Sequence, residues 1–283
     1  MSPKKPSSTE GSEKEQGPGL SIATRTGWAS GTDNHFRGYA IGADLLGKES
    51  FWSMMSLAVG GPRLDDNAAG MLSDLAISAA AADPRIWPLK LVRLVAAYGR
   101  PVPALASFFL TMDGSMLGWT AAKKASLLLL DLAEVVGDAD NIEEVIWQRL
   151  QQRRDSRTLY GFGVPLRPAD ERLVALTGRV EERGFAARPY WRLSLSAAAV
   201  ILRETGIKAN IALGGAAVYL DQGFGPEQMD VLGAAALSLG PWANALEGAQ
   251  QAPECLRRLP DSMIDYRGPE ARPSPRATKD RNA

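Results

Sequence analysis

The chain has 283 residues, 45% of them hydrophobic, which is enough to fill a core in one large domain or in a large and a small one, and which excludes disorder of the whole. Lysine plus arginine equals aspartate plus glutamate at 32 each, so there is no excess of positive charge of the kind that marks a general nucleic-acid binder. A single cysteine, Cys255, cannot form an intramolecular disulfide and reads as a neutral structural thiol, and no apolar run stays uncharged for the ~18 residues of a membrane span.

Residues 1–20 are rich in Ser, Pro, Gly, Lys and Glu, and residues 274–283 are similarly polar; neither segment can offset the entropy of ordering, so both are expected to be flexible tails. The N-terminal segment also lacks the apolar centre of a signal peptide, and a cytoplasmic protein is expected. Around HFRGYAIGADLL, polar, glycine and aromatic residues mix without helical spacing, which suggests a short extended segment or hairpin. From there on, apolar residues recur three and four apart. The spacing predicts helices over about 50–60, 65–82, 88–98, 102–112, 115–136, 140–154, 168–184, 190–206, 210–222 and 226–250. Asp65 and Asp140 are candidate N-caps, and Gly99, Gly184, Gly206 and Gly223 stand where helices should stop. The fold class read from this pattern is all-α, and no internal repeat suggests a solenoid.

The chemistry-bearing motifs are few. CxxC, HExxH and GxxxxGK[ST] are all missing, and one histidine in the chain removes most histidine-based metal and triad schemes, so no metal is expected. The segment YGFGVPLRPADER, at 160–172, places two glycines around an aromatic and implies a tight backbone path. By itself it reads as an ordinary turn between helices.

Five segments together carry a more specific resemblance. FRGYAIGADLLGKESFWSMMSLAVGGPRL at 36–64, the loop at 160–172, NIALGGAAVYLDQG at 210–223, GPWANALEGAQ at 240–250 and LRRLPDSMIDYRGPEARP at 256–273 resemble, in order and spacing, the citrate synthase and citryl-CoA lyase superfamily. The likeness spans nearly all of residues 34–273 and leans toward the short citryl-CoA lyase branch. It implies a large helical domain with a smaller mobile one, at roughly 140–210 within a domain spanning 21–273. It also implies a homodimer, CoA or an acyl-CoA as substrate or ligand, and no permanently bound cofactor.

That chemistry requires a carboxylate base for the α-proton of a CoA thioester, a donor for the enolate oxygen, and a third group on the keto oxygen. In the family two histidines and an aspartate serve these roles. Matched motif by motif, their positions fall here on Leu117 (Met116 with a one-residue shift), Val164 and Ala212. None of these side chains can move a proton. The resemblance further implies that Gly161, Phe162 and Gly163 wrap CoA through their backbone, that Arg167 meets a phosphate, and that Arg172 pairs with a substrate carboxylate. The plainer readings stay open, namely that Arg167 is solvated and that Arg172 pairs with nearby acids. His35 is expected to be structural, Asp83 and Arg85 to start a turn or helix, and Asp113 and Asp170 to be ordinary helix-end acids or replacement carboxylates. Trp119 suggests apolar filling of the vacated site.

Two functions follow. The protein either binds a CoA thioester and makes or breaks a carbon-carbon bond with displaced residues, or it is a catalytically inactive relative that acts as a scaffold or as heterodimer partner of an active paralogue.

Overall fold

The structure is a computed structural model, and it describes residues 22–114, 118–137, 139–152, 159–164, 167–251 and 260–270. The expected tails, Cys255 and Leu117 lie outside the described residues. Three short strands open the fold: β1 (Gly27–Ala29), β2 (Asn34–Phe36) and β3 (Tyr39–Ala40) pair antiparallel in that order. The hairpin predicted near residue 36 is present, and its two-residue turn is Arg37–Gly38 with φ values of 51° and 90°, the conformation that lets a tight hairpin follow the strand twist. Arg37 is held there by donating to the Ala58 carbonyl at 2.6 Å. One π-helical turn, Ile41–Leu45, leads into the helices.

Eleven α-helices follow among the described residues. They are α1 (Phe51–Ala58), α2 (Asp66–Ala79), α3 (Trp87–Tyr98), α4 (Pro101–Met112), α5 (Trp119–Val136), α6 (Ile142–Gln152), α7 (Glu171–Glu182), α8 (Pro189–Thr205), α9 (Ile211–Asp221), α10 (Pro226–Ala236) and α11 (Leu239–Ala249). Asp65 caps α2 by accepting the Ala68 N–H at 2.7 Å, and Gly99 and Gly206 stand at the C-caps of α3 and α8. Two expectations are corrected. The cap of α6 is Asn141, whose Oδ1 accepts the Glu144 N–H, and not Asp140, because the helix starts one residue later. The predicted single helix 226–250 is two helices, broken at Leu237–Ser238. Pro241 has no N–H to return to the Leu237 carbonyl and its ring would strike it, so the chain restarts with Pro241 in the first turn of α11.

The helices form two compact units, one from the chain up to Ser78 with Ala122–Gly233, the other from Ala79–Ala121 with the chain from Ala234 onward. The 140–210 segment supplies α6, α7 and α8 to the first unit. That unit is organised around α9, in which every residue from Leu213 to Leu220 is buried. A helix apolar on all sides needs neighbours on all sides, and α7 and α8 pack directly against it. Gly214 permits this closeness, since a side-chain carbon there would lie 2.5 Å from Leu173 Cδ1. Asp221, at the end of α9, accepts the backbone N–H groups of Tyr190 and Trp191 at 2.9 and 2.8 Å and so anchors the start of α8.

In the second unit α3, α4 and α11 pack on one another around Leu89, Val92, Leu105, Phe108, Trp119 and Ala245. Here α11 presents Gly240, Asn244 and Gly248 on one face. A side-chain carbon on Gly240 would fall 1.7 Å from the Ala81 carbonyl oxygen, and Asn244 donates to the Ala82 carbonyl at 3.0 Å.

Candidate functional site

The glycine loop and the start of α9 are joined, although about fifty residues separate them in sequence. The Gly163 N–H donates to the Lys208 carbonyl at 2.7 Å, the Asn210 N–H donates to the Gly161 carbonyl at 2.9 Å, and Phe162 pairs with Ala209 as an isolated antiparallel bridge. Asn210 serves both sides. Its Nδ2 donates to the Gly163 carbonyl at 3.1 Å, while its Oδ1 accepts the Ala212 N–H at 3.0 Å and caps α9.

Gly161 and Gly163 have φ values of 88° and 96°, in the left-handed region. Their surroundings differ. A side-chain carbon on Gly161 would meet Leu213 Cβ at 3.0 Å and Ala125 Cβ at 3.2 Å, whereas one on Gly163 would meet no described atom within 4 Å. Among the described residues the loop is therefore packed on one side, against α5 and α9, and open at Gly163. Phe162 is buried in the core, which holds the loop in place.

Asp170 locks the start of α7 to the start of α9. Its carboxylate is almost wholly buried, caps α7 through the Arg172 N–H, and accepts the Ile211 N–H at 2.9 Å. Arg172 closes the arrangement with Nε and Nη2 each 2.8 Å from an Asp170 oxygen. Burial by itself would raise the Asp170 carboxyl, but the Arg172 guanidinium, the Ile211 N–H and the Arg172 charge outweigh it and hold the group below the usual carboxylate range. Arg167 is exposed and pairs with Glu171 one turn on. Both arginines singled out in the sequence thus already have partners within the chain.

Val164 is half-buried at the open end of the loop, and Ala212 is half-buried in the first turn of α9. Asn210 brings these two positions to one junction; Leu117 lies outside the described residues. Trp119 belongs to the core of the second unit, where its ring meets Phe108 edge-on at 6.3 Å. Asp113 follows α4 and accepts a long hydrogen bond of 3.4 Å from Thr120 Oγ1. His35 lies in β2, stacked on Trp28 with ring centroids 4.4 Å apart. Asp83 and Arg85 pair with each other beside the turn before α3.

The structure adds a pair that the sequence reading missed. Lys124 of α5 donates to Tyr160 Oη at 3.1 Å, with its ammonium 4.4 Å from the ring centroid. No spacing rule connects residues 36 apart; the one signal was that Tyr160 directly precedes the glycine loop. Among the described residues no cluster of three His, Cys, Asp or Glu is placed to hold a metal ion, and no helix is long and apolar enough to cross a membrane.

A citryl-CoA lyase from Hydrogenobacter thermophilus superposes with a TM-score of 0.75 over 91% of this chain and 99% of its own, at 20% identity. The fold is that of citryl-CoA lyase. The same fold extends to larger proteins. An ATP citrate lyase from Methanothrix soehngenii, solved with citrate and coenzyme A, aligns with a TM-score of 0.69 and 19% identity over 88% of this chain and 42% of its own. A citrate synthase from Thermoplasma acidophilum, solved with carboxymethyl coenzyme A and oxaloacetate, aligns with a TM-score of 0.54 and 14% identity over 80% of this chain and 59% of its own. No protein-family model and no curated protein matches the chain. At these identities the likeness carries the architecture, and the reaction must be argued from the residues of the site.

Proposed function

We propose that the protein binds a CoA thioester where the glycine loop meets the start of α9, and that a reaction there would make or break a carbon-carbon bond beside the thioester using residues other than the citrate enzymes' histidines and aspartate. The observation that carries this reading is the loop itself, which is packed at Gly161, open at Gly163 and fixed by main-chain hydrogen bonds. A ligand that packs against the backbone at Gly163 does not depend on which side chain stands at 164 or 212. The structures with CoA or carboxymethyl-CoA bound on this fold support the ligand class. Arg167 and Arg172 would reach a phosphate and a carboxylate by exchanging their present partners, Glu171 and Asp170.

Thermal denaturation with CoA and a panel of acyl-CoAs tests the proposal. A ligand at 100 times its dissociation constant should stabilise the fold by ~2.7 kcal/mol. An unchanged melting temperature with every thioester at millimolar concentration would rule out CoA binding.

The second reading, an inactive scaffold or heterodimer partner, is favoured by the apolar character of Val164 and Ala212. Copurification with an active relative would support it. In either case we propose a cytoplasmic protein, a placement that rests on its lone cysteine.

The homodimer is also a proposal, and the outer faces of α4 and α11 support it. On α4, Val102, Ala106, Phe109 and Leu110 are exposed, Leu110 at 81%; on α11, Leu239, Trp242 and Leu246 are each more than half exposed. A helix facing water carries polar residues on that side, so apolar stripes of this length mark a covered surface. A second copy is the occupant proposed. In sedimentation the protein should run at twice its 30.3 kDa chain mass, and Leu110→Glu combined with Leu246→Glu should return it to the monomer mass with helical circular dichroism intact. A monomeric wild type would overturn the dimer.

A further inference from the structure

The chain carries no histidine at the glycine loop, but two donors stand beside it with hydrogens to spare. Tyr160 Oη accepts a hydrogen bond from Lys124 Nζ, which leaves the phenolic hydrogen free to donate. Neither that hydrogen nor the other two on Nζ meets an acceptor among the described residues, and both side chains are half-buried. Their backbone neighbours fix where the pair stands: Lys124 precedes Ala125, Tyr160 precedes Gly161, and Gly161 packs on Ala125 and Leu213, the residue after Ala212.

We propose that Lys124 and Tyr160 form an oxygen-binding pair that takes the carbonyl oxygen of a CoA thioester. This deepens the function proposed above and rests on it. The surroundings select the ligand chemistry. Val164 and Ala212 offer the half-buried junction no polar side chain, so Tyr160 and Lys124 are the donors beside it, and a fixed donor to a polarised oxygen counts for more once a bound ligand excludes water. The ammonium lies over the ring and bonds the phenol oxygen, fixing its orientation, so Tyr160 is assigned as the group that touches the ligand and Lys124 as a positioning residue. A phosphate would be served better by the two guanidinium groups, Arg167 and Arg172, whose planar donors suit it.

The test compares acetyl-CoA with S-ethyl-CoA, the thioether that lacks only the carbonyl oxygen, and with free CoA, each by titration calorimetry. The wild type should bind acetyl-CoA ~10-fold more tightly than the thioether, the worth of one well-placed hydrogen bond. Tyr160→Phe should bring the two affinities within about twofold of each other while leaving free CoA binding unchanged. Lys124→Met should narrow the preference as well, and Lys124→Arg should restore part of it. Since Tyr160→Phe removes one oxygen atom, its affinity for free CoA also reports that the site is folded.

A wild type that binds CoA without preferring the thioester, or a Tyr160→Phe variant that retains the full preference, overturns the pair and leaves the function standing. Absence of binding to CoA and to both derivatives overturns the function and the pair together.

Discussion

Given acetyl-CoA and oxaloacetate, or citryl-CoA, the protein should turn over at least about 10²-fold more slowly than an ordinary enzyme working at 1 to 10³ per second. The reason is local to α9 and the loop. On the assignment proposed above, Ala212 and Val164, half-buried at the junction, offer a methyl and an isopropyl group where proton transfer would need a carboxylate and an imidazole. A missing base costs ~10² to 10⁴ in rate and a missing enolate donor ~10² to 10³, and such losses do not add in full. Position 212 would suit an introduced carboxylate. It is the second residue of α9 after the Asn210 cap, where the positive end of the helix favours the ionised form. Ala212→Asp with Val164→His should therefore raise citryl-CoA cleavage by about 10²-fold over the wild type. Wild-type turnover in the ordinary range, followed as free CoA thiol released from acetyl-CoA and oxaloacetate or as oxaloacetate released from citryl-CoA, would refute the assignment of 164 and 212.

The second large effect concerns stability. Asp170→Ala should destabilise the fold by about 2–4 kcal/mol, measured as a lower urea midpoint with an unchanged slope. Three losses combine: the cap of α7, the acceptor for the Ile211 N–H, and the partner of Arg172. The first costs ~1 kcal/mol and the second ~1–3 kcal/mol, because a half-buried N–H loses its protein acceptor. The third contributes little, since the Arg172 side chain is 38% exposed and its guanidinium is readily hydrated once released.

The pH dependence has a definite sign. The Asp170 carboxyl in the folded chain lies below its ordinary 3.8, so its share of stability is fully present above that value and is lost as the pH falls through the lower folded one. The stability gap between wild type and Asp170→Asn should accordingly be constant near neutrality and narrow in acid. A gap that widens in acid would contradict this.

Much of the fold was legible because its signals are local. Apolar spacing, the Asp65 cap and the glycine stops read interactions within one or two turns, and those interactions do not depend on what packs alongside. The misreadings at Asp140 and at Leu237–Ser238 were also local: Asn141 competed for the cap, and Pro241 carried a break signal that the apolar periodicity of 226–250 obscured.

The site divides differently. By itself the sequence determined that a tight glycine loop at 161–163 is followed by valine, that Ala212 opens an apolar helix, and that no histidine stands near either. Tertiary structure alone decided that Asn210 bonds Gly163 across 47 residues, that Asp170 bonds Ile211 across 41, and that Lys124 reaches Tyr160 across 36. Those pairings depend on how α5, α7 and α9 are rotated and shifted against one another. That register is set by the volumes of buried residues such as Leu213, Gly214 and Leu173, summed over the whole core, and no single stretch of sequence records it.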